Sequence, residues 1–145
     1  MFQRIMFTWD GSDVALRAFD VAIDVARRFG GELVAVSVAY SPAHAETHAD
    51  RQESADAARR YLEQTFTEVA DRAHRVGVDV AHEIIGGDTP AQALVAHCHA
   101  HGFDLIVCGH HHGARVGRLL LHDIAEDLLN QAMTPVLIVG EAERG

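Results

Sequence analysis

The sequence predicts a doubly wound α/β fold, a single five-stranded parallel sheet with helices on both faces, and three observations predict it. Short β-rich runs alternate with longer helical patterns from Arg4 to Val139, and that alternation is the mark of βαβ units. The run Leu33-Val34-Ala35-Val36-Ser37-Val38 is almost continuously apolar, as expected for a strand covered by helices on both sides. From Asp104 to Gly113 an apolar strand passes into a glycine-punctuated loop, with a helical pattern beyond it. In an open parallel sheet such strand-to-helix loops are where ligands sit.

The elements follow in order. Arg4 to Trp9 is the first strand, and Ser12 caps the helix that runs from there to Arg28 after the turn Asp10-Gly11. Leu16, Phe19, Ile23 and Ala26 recur on one face of that helix, and Gly30-Gly31 stops it. The second strand, Glu32 to Ala39, belongs in the middle of the sheet. Tyr40 to Arg51 is rich in Ala, His and Ser, contains Pro42 and has no period, so it reads as a loop before a long helix from about Gln52 to Arg75, ended by Gly77. In the third strand, Asp79 to Ile85, Val80, His82 and Ile84 alternate with Ala81, Glu83 and Ile85, which suits a place nearer the edge.

Gly86-Gly87-Asp88-Thr89-Pro90 opens the third helix, with Asp88 or Thr89 as N-cap and Pro90 near its first position. Leu94, Val95 and Cys98 point inward, and Gly102 ends it. The fourth strand is Leu105 to Cys108. A fourth helix spans about Leu119 to Met133, with Leu119, Leu120, Leu121, Ile124, Leu128 and Leu129 read as its core face. Pro135 to Val139 is the last strand. With right-handed crossovers, the first and fourth strands flank the switch point, so Asp10 and Gly109 face one crevice.

Composition narrows the function. The chain has 145 residues, an ordinary size for one domain, and its 48% hydrophobic content is enough for a core. Its 21 acidic and 12 basic residues give a formal charge of -9, which repels nucleic acid backbones and anionic lipid surfaces. There is no run of about 18 apolar residues and no signal-peptide pattern at the N-terminus, so the chain reads as cytoplasmic. Cys98 and Cys108 fit a reducing compartment as small buried hydrophobes. No internal repeat or linker divides residues 1–145, which read as one domain.

Several of these pieces together resemble the universal stress protein family: Arg4 to Ser12, the Glu32 to Val38 strand, Gly86-Gly87-Asp88-Thr89-Pro90, Asp104 to Gly109, and Thr134-Pro135-Val136-Leu137-Ile138-Val139. The resemblance covers the whole chain. It implies a Rossmann-like sheet of order 3-2-1-4-5, of the adenine-nucleotide alpha hydrolase-like type, and in many members ATP or AMP in the crevice. It carries the base and ribose contacts of those relatives onto Asp10 and Val38. Their phosphates rest on a loop of the form Gly, two residues, Gly, nine residues, Gly-Ser/Thr. Glycines let backbone approach an anion closely, and the hydroxyl and free amides at a helix start donate to it.

Aligned without gaps, this loop keeps Gly109 but places His112, His122 and Asp123 at the other three positions. A shift by one residue recovers a glycine as Gly113, with the remaining spacing short by one and still no Gly-Ser. The Asp123 carboxylate near phosphates costs on the order of a kcal/mol even with strong screening, which disfavours ATP in the family's usual pose. Arg115 and Arg118 offer guanidinium groups that grip phosphate by side chain. Val107-Cys108-Gly109-His110-His111 is similar to the enterobacterial universal stress protein A branch of the family, which lacks the ATP-binding motif and acts as a dimer.

The eleven histidines raise metal binding, since His97 and His101 share a helix flank. No HExxH signature and no spaced third ligand accompany them, and histidines near helix C-termini are favoured by the dipole alone, so no metal site is assigned. His110 to His112 read as a pH-responsive element. Asp10-Gly11-Ser12 reads equally as a capped strand-to-helix turn and as a ligand contact. Cys108 has no base placed beside it, and no nucleophile-base-acid set marks an enzyme.

The last strand, Val136 to Val139, lies at a sheet edge and needs cover. The resemblance supplies it as a homodimer paired through these strands, self-complementary about a twofold axis. Two functions are therefore expected: a non-catalytic, dimeric stress-response protein without a cofactor, or a regulatory module that binds ATP, AMP or cyclic AMP.

Overall fold

A computed structural model describes residues 1–40, 48–87, 89–111 and 124–141. Nine elements alternate along the chain: β1 (Arg4–Thr8), α1 (Asp13–Phe29), β2 (Glu32–Tyr40), α2 (His48–Arg75), β3 (Val80–Gly87), α3 (Pro90–His101), β4 (Leu105–His110), α4 (Ile124–Gln131) and β5 (Val136–Gly140). The strands form one parallel sheet in the order β3-β2-β1-β4-β5. The Rossmann-like fold and the strand order expected from the sequence are both present, with the third and last strands at the two edges.

Strand alternation assigns each side chain to one of two apolar layers. Ile5, Phe7, Leu33, Ala35, Leu105 and Val107 pack against α1 and α2, through Phe19, Ile23, Leu62 and Val69. Met6, Val34, Val36, Ile106 and Cys108 pack against α3 and α4, through Leu94, Cys98 and Leu128. The central strands bury both faces, which is why their sequences carry almost no polar residue. His82 and Ile84 sit on the α1 and α2 side and Ile85 on the other, as their alternation predicts.

The expected helix boundaries hold for α1 and α3. Ser12 caps α1 by accepting from the Ala15 N–H, and Gly30 and Gly102 close α1 and α3 in left-handed conformation. Thr89 has the N-cap backbone of α3 but makes no side-chain cap bond; Asp88 lies outside the described residues. Three expectations need correction. α2 begins at His48, four residues before the predicted Gln52, because the polar, alanine-rich segment there has ample helix propensity and lacks only an apolar stripe to reveal it. α4 ends at Gln131 rather than Met133, and Met133 is exposed. Leu129 also faces outward, 59% exposed, while Leu128 is fully buried: adjacent helical positions differ by about 100° and cannot both face the core. Leu119, Leu120 and Leu121 lie outside the described residues.

Both cysteines are buried and unbridged. Burial pushes the Cys98 thiol pKa above its ordinary value, against a hydrogen bond with Thr134 that works the other way. Among the described residues, no helix is long and apolar enough to cross a membrane.

Candidate functional site at the ends of β1, β2 and β4

The carboxyl ends of β1 and β4 lie side by side, with Phe7 paired to Val107. Chain flow beyond them brings Asp10 and His111 together: His111 Nε2 lies 3.4 Å from Asp10 Oδ2. The Asp10 turn and the end of β4 therefore meet at this end of the sheet. Gly109 is the close-approach point, since a Cβ there would stand 3.0 Å from the backbone carbonyl oxygen of Val14 in α1. A glycine lets β4 end directly against the first turn of α1.

Asp10 is bound on both oxygens. Oδ1 accepts from the Ser12 backbone N–H at 2.9 Å and from the Ser12 hydroxyl at 2.5 Å, and Oδ2 faces His111. Protein packed around the carboxyl works to raise its pKa, and is the largest single influence. The hydrogen bonds from His111 and Ser12 outweigh it together, so the net direction is downward. The carboxylate keeps 54% of its side-chain surface open, so it is an anion within reach of a ligand. Both readings of Asp10-Gly11-Ser12 are thus compatible: Asp10 orders the turn through Oδ1 and presents Oδ2 outward.

The backbone ahead of Asp10 is held by a chain of polar contacts. The Trp9 N–H donates to the Val36 carbonyl at 3.0 Å, and the buried Ser37 hydroxyl donates to the Trp9 carbonyl at 2.6 Å. His82 Nε2 lies 2.9 Å from the same Ser37 oxygen. With the hydroxyl proton committed to Trp9, the imidazole must be the donor, which assigns the Nε2–H tautomer. The His82 ring stacks on Phe66 of α2, with centroids 4.1 Å apart, and Trp9 Nε1–H donates to Thr65 Oγ1 at 3.2 Å. Burial pushes the His82 pKa down from 6.5, with Glu63 opposing.

Val38 lies two residues past the last β1–β2 pairing, Thr8 with Val36, half-buried on the α3 side. Asp10, Val38 and Gly109 therefore occupy the ends of three neighbouring strands. Gly113, Arg115 and Asp123, with His112, Arg118 and His122, lie outside the described residues. An open depression of about 560 Å³ runs along α1 from Ser12 and His111 to Arg17 and Arg72, and neither Asp10, Val38 nor Gly109 lines it. His97 and His101 do share a flank, with rings 4.3 Å apart, and His97 Nε2 lies 2.8 Å from Glu83 Oε1. Among the described residues no group of three or more His, Cys, Asp or Glu side chains converges to hold a metal ion.

Sequence reasoning missed the Trp9, Ser37, His82 and Thr65 chain. The only signals were a serine and a histidine inside otherwise apolar strands, and each has a bland reading by itself. It also missed Asp104, whose carboxylate accepts the Gln3 and Arg4 backbone N–H groups at the opposite end of β1.

The model of the universal stress protein family matches residues 1–140. The chain belongs to that family. A universal stress protein of Thermus aquaticus is 31% identical over 139 residues, covering 96% of this chain and 99% of the relative. Among solved structures, a universal stress family protein of Burkholderia pseudomallei is 27% identical with a TM-score of 0.75, covering 95% of this chain and 96% of that one. A universal stress protein solved in complex with cAMP is 26% identical with a TM-score of 0.70, covering 95% of this chain and 97% of that one. The two solved structures share the overall fold of this chain.

Proposed function

We propose that this universal stress protein is a non-catalytic, cytoplasmic stress-response protein, one domain per chain, that acts as a homodimer paired through Val136 to Val139. Its crevice does not take ATP in the usual family pose. The observation that carries this reading is the content of the phosphate loop: only Gly109 survives of the four gripping positions, and Asp123 stands where a hydroxyl donor is needed. An acceptor-only anion at that position replaces a hydrogen bond to phosphate with repulsion. The matching of Val107 to His111 to the universal stress protein A branch supports the same conclusion, as does the absence from the sequence of any nucleophile with a spaced base.

A second reading draws on the related structure that holds cAMP. The family resemblance carries the base and ribose contacts onto Asp10 and Val38, and a ligand with one phosphate needs less of the missing cradle. Gly113 and Arg115 are the remaining candidates to contact that phosphate, the latter as a bidentate guanidinium. On this reading the protein is a regulatory module for AMP or cyclic AMP.

Calorimetry with ATP, AMP and cyclic AMP separates the two. The first reading predicts no binding of any of them to the wild type, and a gain of ATP binding in the double variant His122→Gly with Asp123→Ser. Binding of cyclic AMP or AMP but not ATP to the wild type selects the second. Tight ATP binding to the wild type rejects both.

A further inference from the structure

Among the described residues, the contact of His111 with Asp10 is accounted for by neither the fold nor the family match. His111 Nε2 lies against Asp10 Oδ2, while both Ser12 donors occupy Oδ1. The three contacts place a protein donor on each carboxylate oxygen. A ligand hydroxyl or amine that binds Asp10 needs Oδ2, because displacing Ser12 would uncap the Asp10 turn, and Ser12 also caps α1. Of the partners of Asp10 the imidazole is the more easily displaced: it is 39% exposed, and its contact with the carboxylate is the longest of the three.

We propose that His111 is a built-in competitor for Asp10, so that the affinity of the crevice for an adenine nucleotide is set by whether His111 carries charge. This rests on the reading in which the crevice takes AMP or cyclic AMP. Neutral His111 offers the Asp10 carboxylate a hydrogen bond alone; protonated His111 adds the Coulombic attraction of an ion pair. The ligand displaces the first more easily than the second. Besides Asp10, the charged groups lining the depression beside His111 are Asp13, Arg17 and Asp20 on α1, Arg72 on α2 and Glu141 after β5. Three are acidic and two basic. Arg72 is engaged by Asp20 and Glu68, and Arg17 donates to the Gly140 carbonyl. The downward direction of the Asp10 pKa, to which His111 contributes both a hydrogen bond and a charge interaction, agrees with the same pairing.

Cyclic AMP is titrated calorimetrically into the wild type, His111→Ala and His111→Gln at about pH 5.5 and about pH 8, a span across which an exposed imidazole discharges. The wild type is expected to bind about tenfold more weakly at the lower pH, equivalent to about 1.4 kcal/mol. His111→Ala should bind equally at both pH values and more tightly than the wild type at the lower one. His111→Gln, which donates without titrating, should also lose the pH dependence. In the ligand-free protein, a carbon NMR titration should find the Asp10 carboxyl pKa higher in His111→Ala than in the wild type. An unchanged Asp10 titration overturns the pairing whatever the ligand. Binding at the higher pH with the same pH dependence in all three proteins overturns this inference alone. No binding by any of them at either pH overturns it together with the mononucleotide reading.

Discussion

Gly11 carries φ of 84°, and a Cβ there would lie 2.8 Å from the Tyr61 hydroxyl. The left-handed backbone costs a non-glycine residue roughly 1–2 kcal/mol, whereas Tyr61 is exposed over half its surface and can swing aside. The backbone effect therefore decides the outcome. Gly11→Ala is expected to lower unfolding free energy by roughly 1–2 kcal/mol in urea titrations, with Tyr61→Ala in the same chain recovering little of it. Full recovery would mean that the ring clash, not the turn, was the cost. At this scale the sequence was well read for Asp10, Gly11 and Ser12, since turn and cap residues declare themselves by type. It could not reveal His111 against Asp10, because their separation of 101 residues is closed only by the parallel pairing of β1 with β4.

Elements meet at this site through the polar chain from Trp9 to His82. α2 grips the end of β1 by Thr65 on Trp9 and β3 by Phe66 on His82, so the Asp10 turn and the middle of α2 are positioned together. The histidine brings a pH dependence whose sign follows from its lowered pKa. Between the folded value and the unfolded 6.5 the unfolded chain binds more protons, so stability rises with pH. The contribution is complete above about 6.5 and is lost as pH falls below it. Urea midpoints for the wild type should drop between neutral and mildly acidic pH, and His82→Gln should flatten part of that drop. An identical slope in the variant would show that other groups carry it. β and α periods made these elements legible, with the exceptions explained by physics: the start of α2 has no apolar stripe, and Leu129 sits one residue from a buried leucine. Hydrogen bonds between elements leave no period at all.

The whole molecule is a parallel sheet whose two edges differ. β5 presents Val136, Leu137 and Ile138 partly exposed, and Leu129 of α4 and Met133 beyond its end are exposed as well, whereas β3 ends in exposed glycines. The proposed homodimer pairs the backbone donors and acceptors of this apolar edge with those of a second copy. Light scattering at micromolar concentration should return twice the chain mass, and a charge at the edge, Ile138→Lys, should return the single-chain mass. A wild type that stays monomeric would remove β5 as an interface. Topology and strand order were readable because alternating elements allow few arrangements, and the family resemblance selected one of them. The ligand was less readable, because a glycine cradle can be judged by residue type while its side-chain replacements can be judged only by position. The most direct test of the central claim is ATP titrated into the wild type by calorimetry near neutral pH. The loop chemistry of Gly109, His112, His122 and Asp123 predicts no saturable heat, and a stoichiometric, tight isotherm would contradict it.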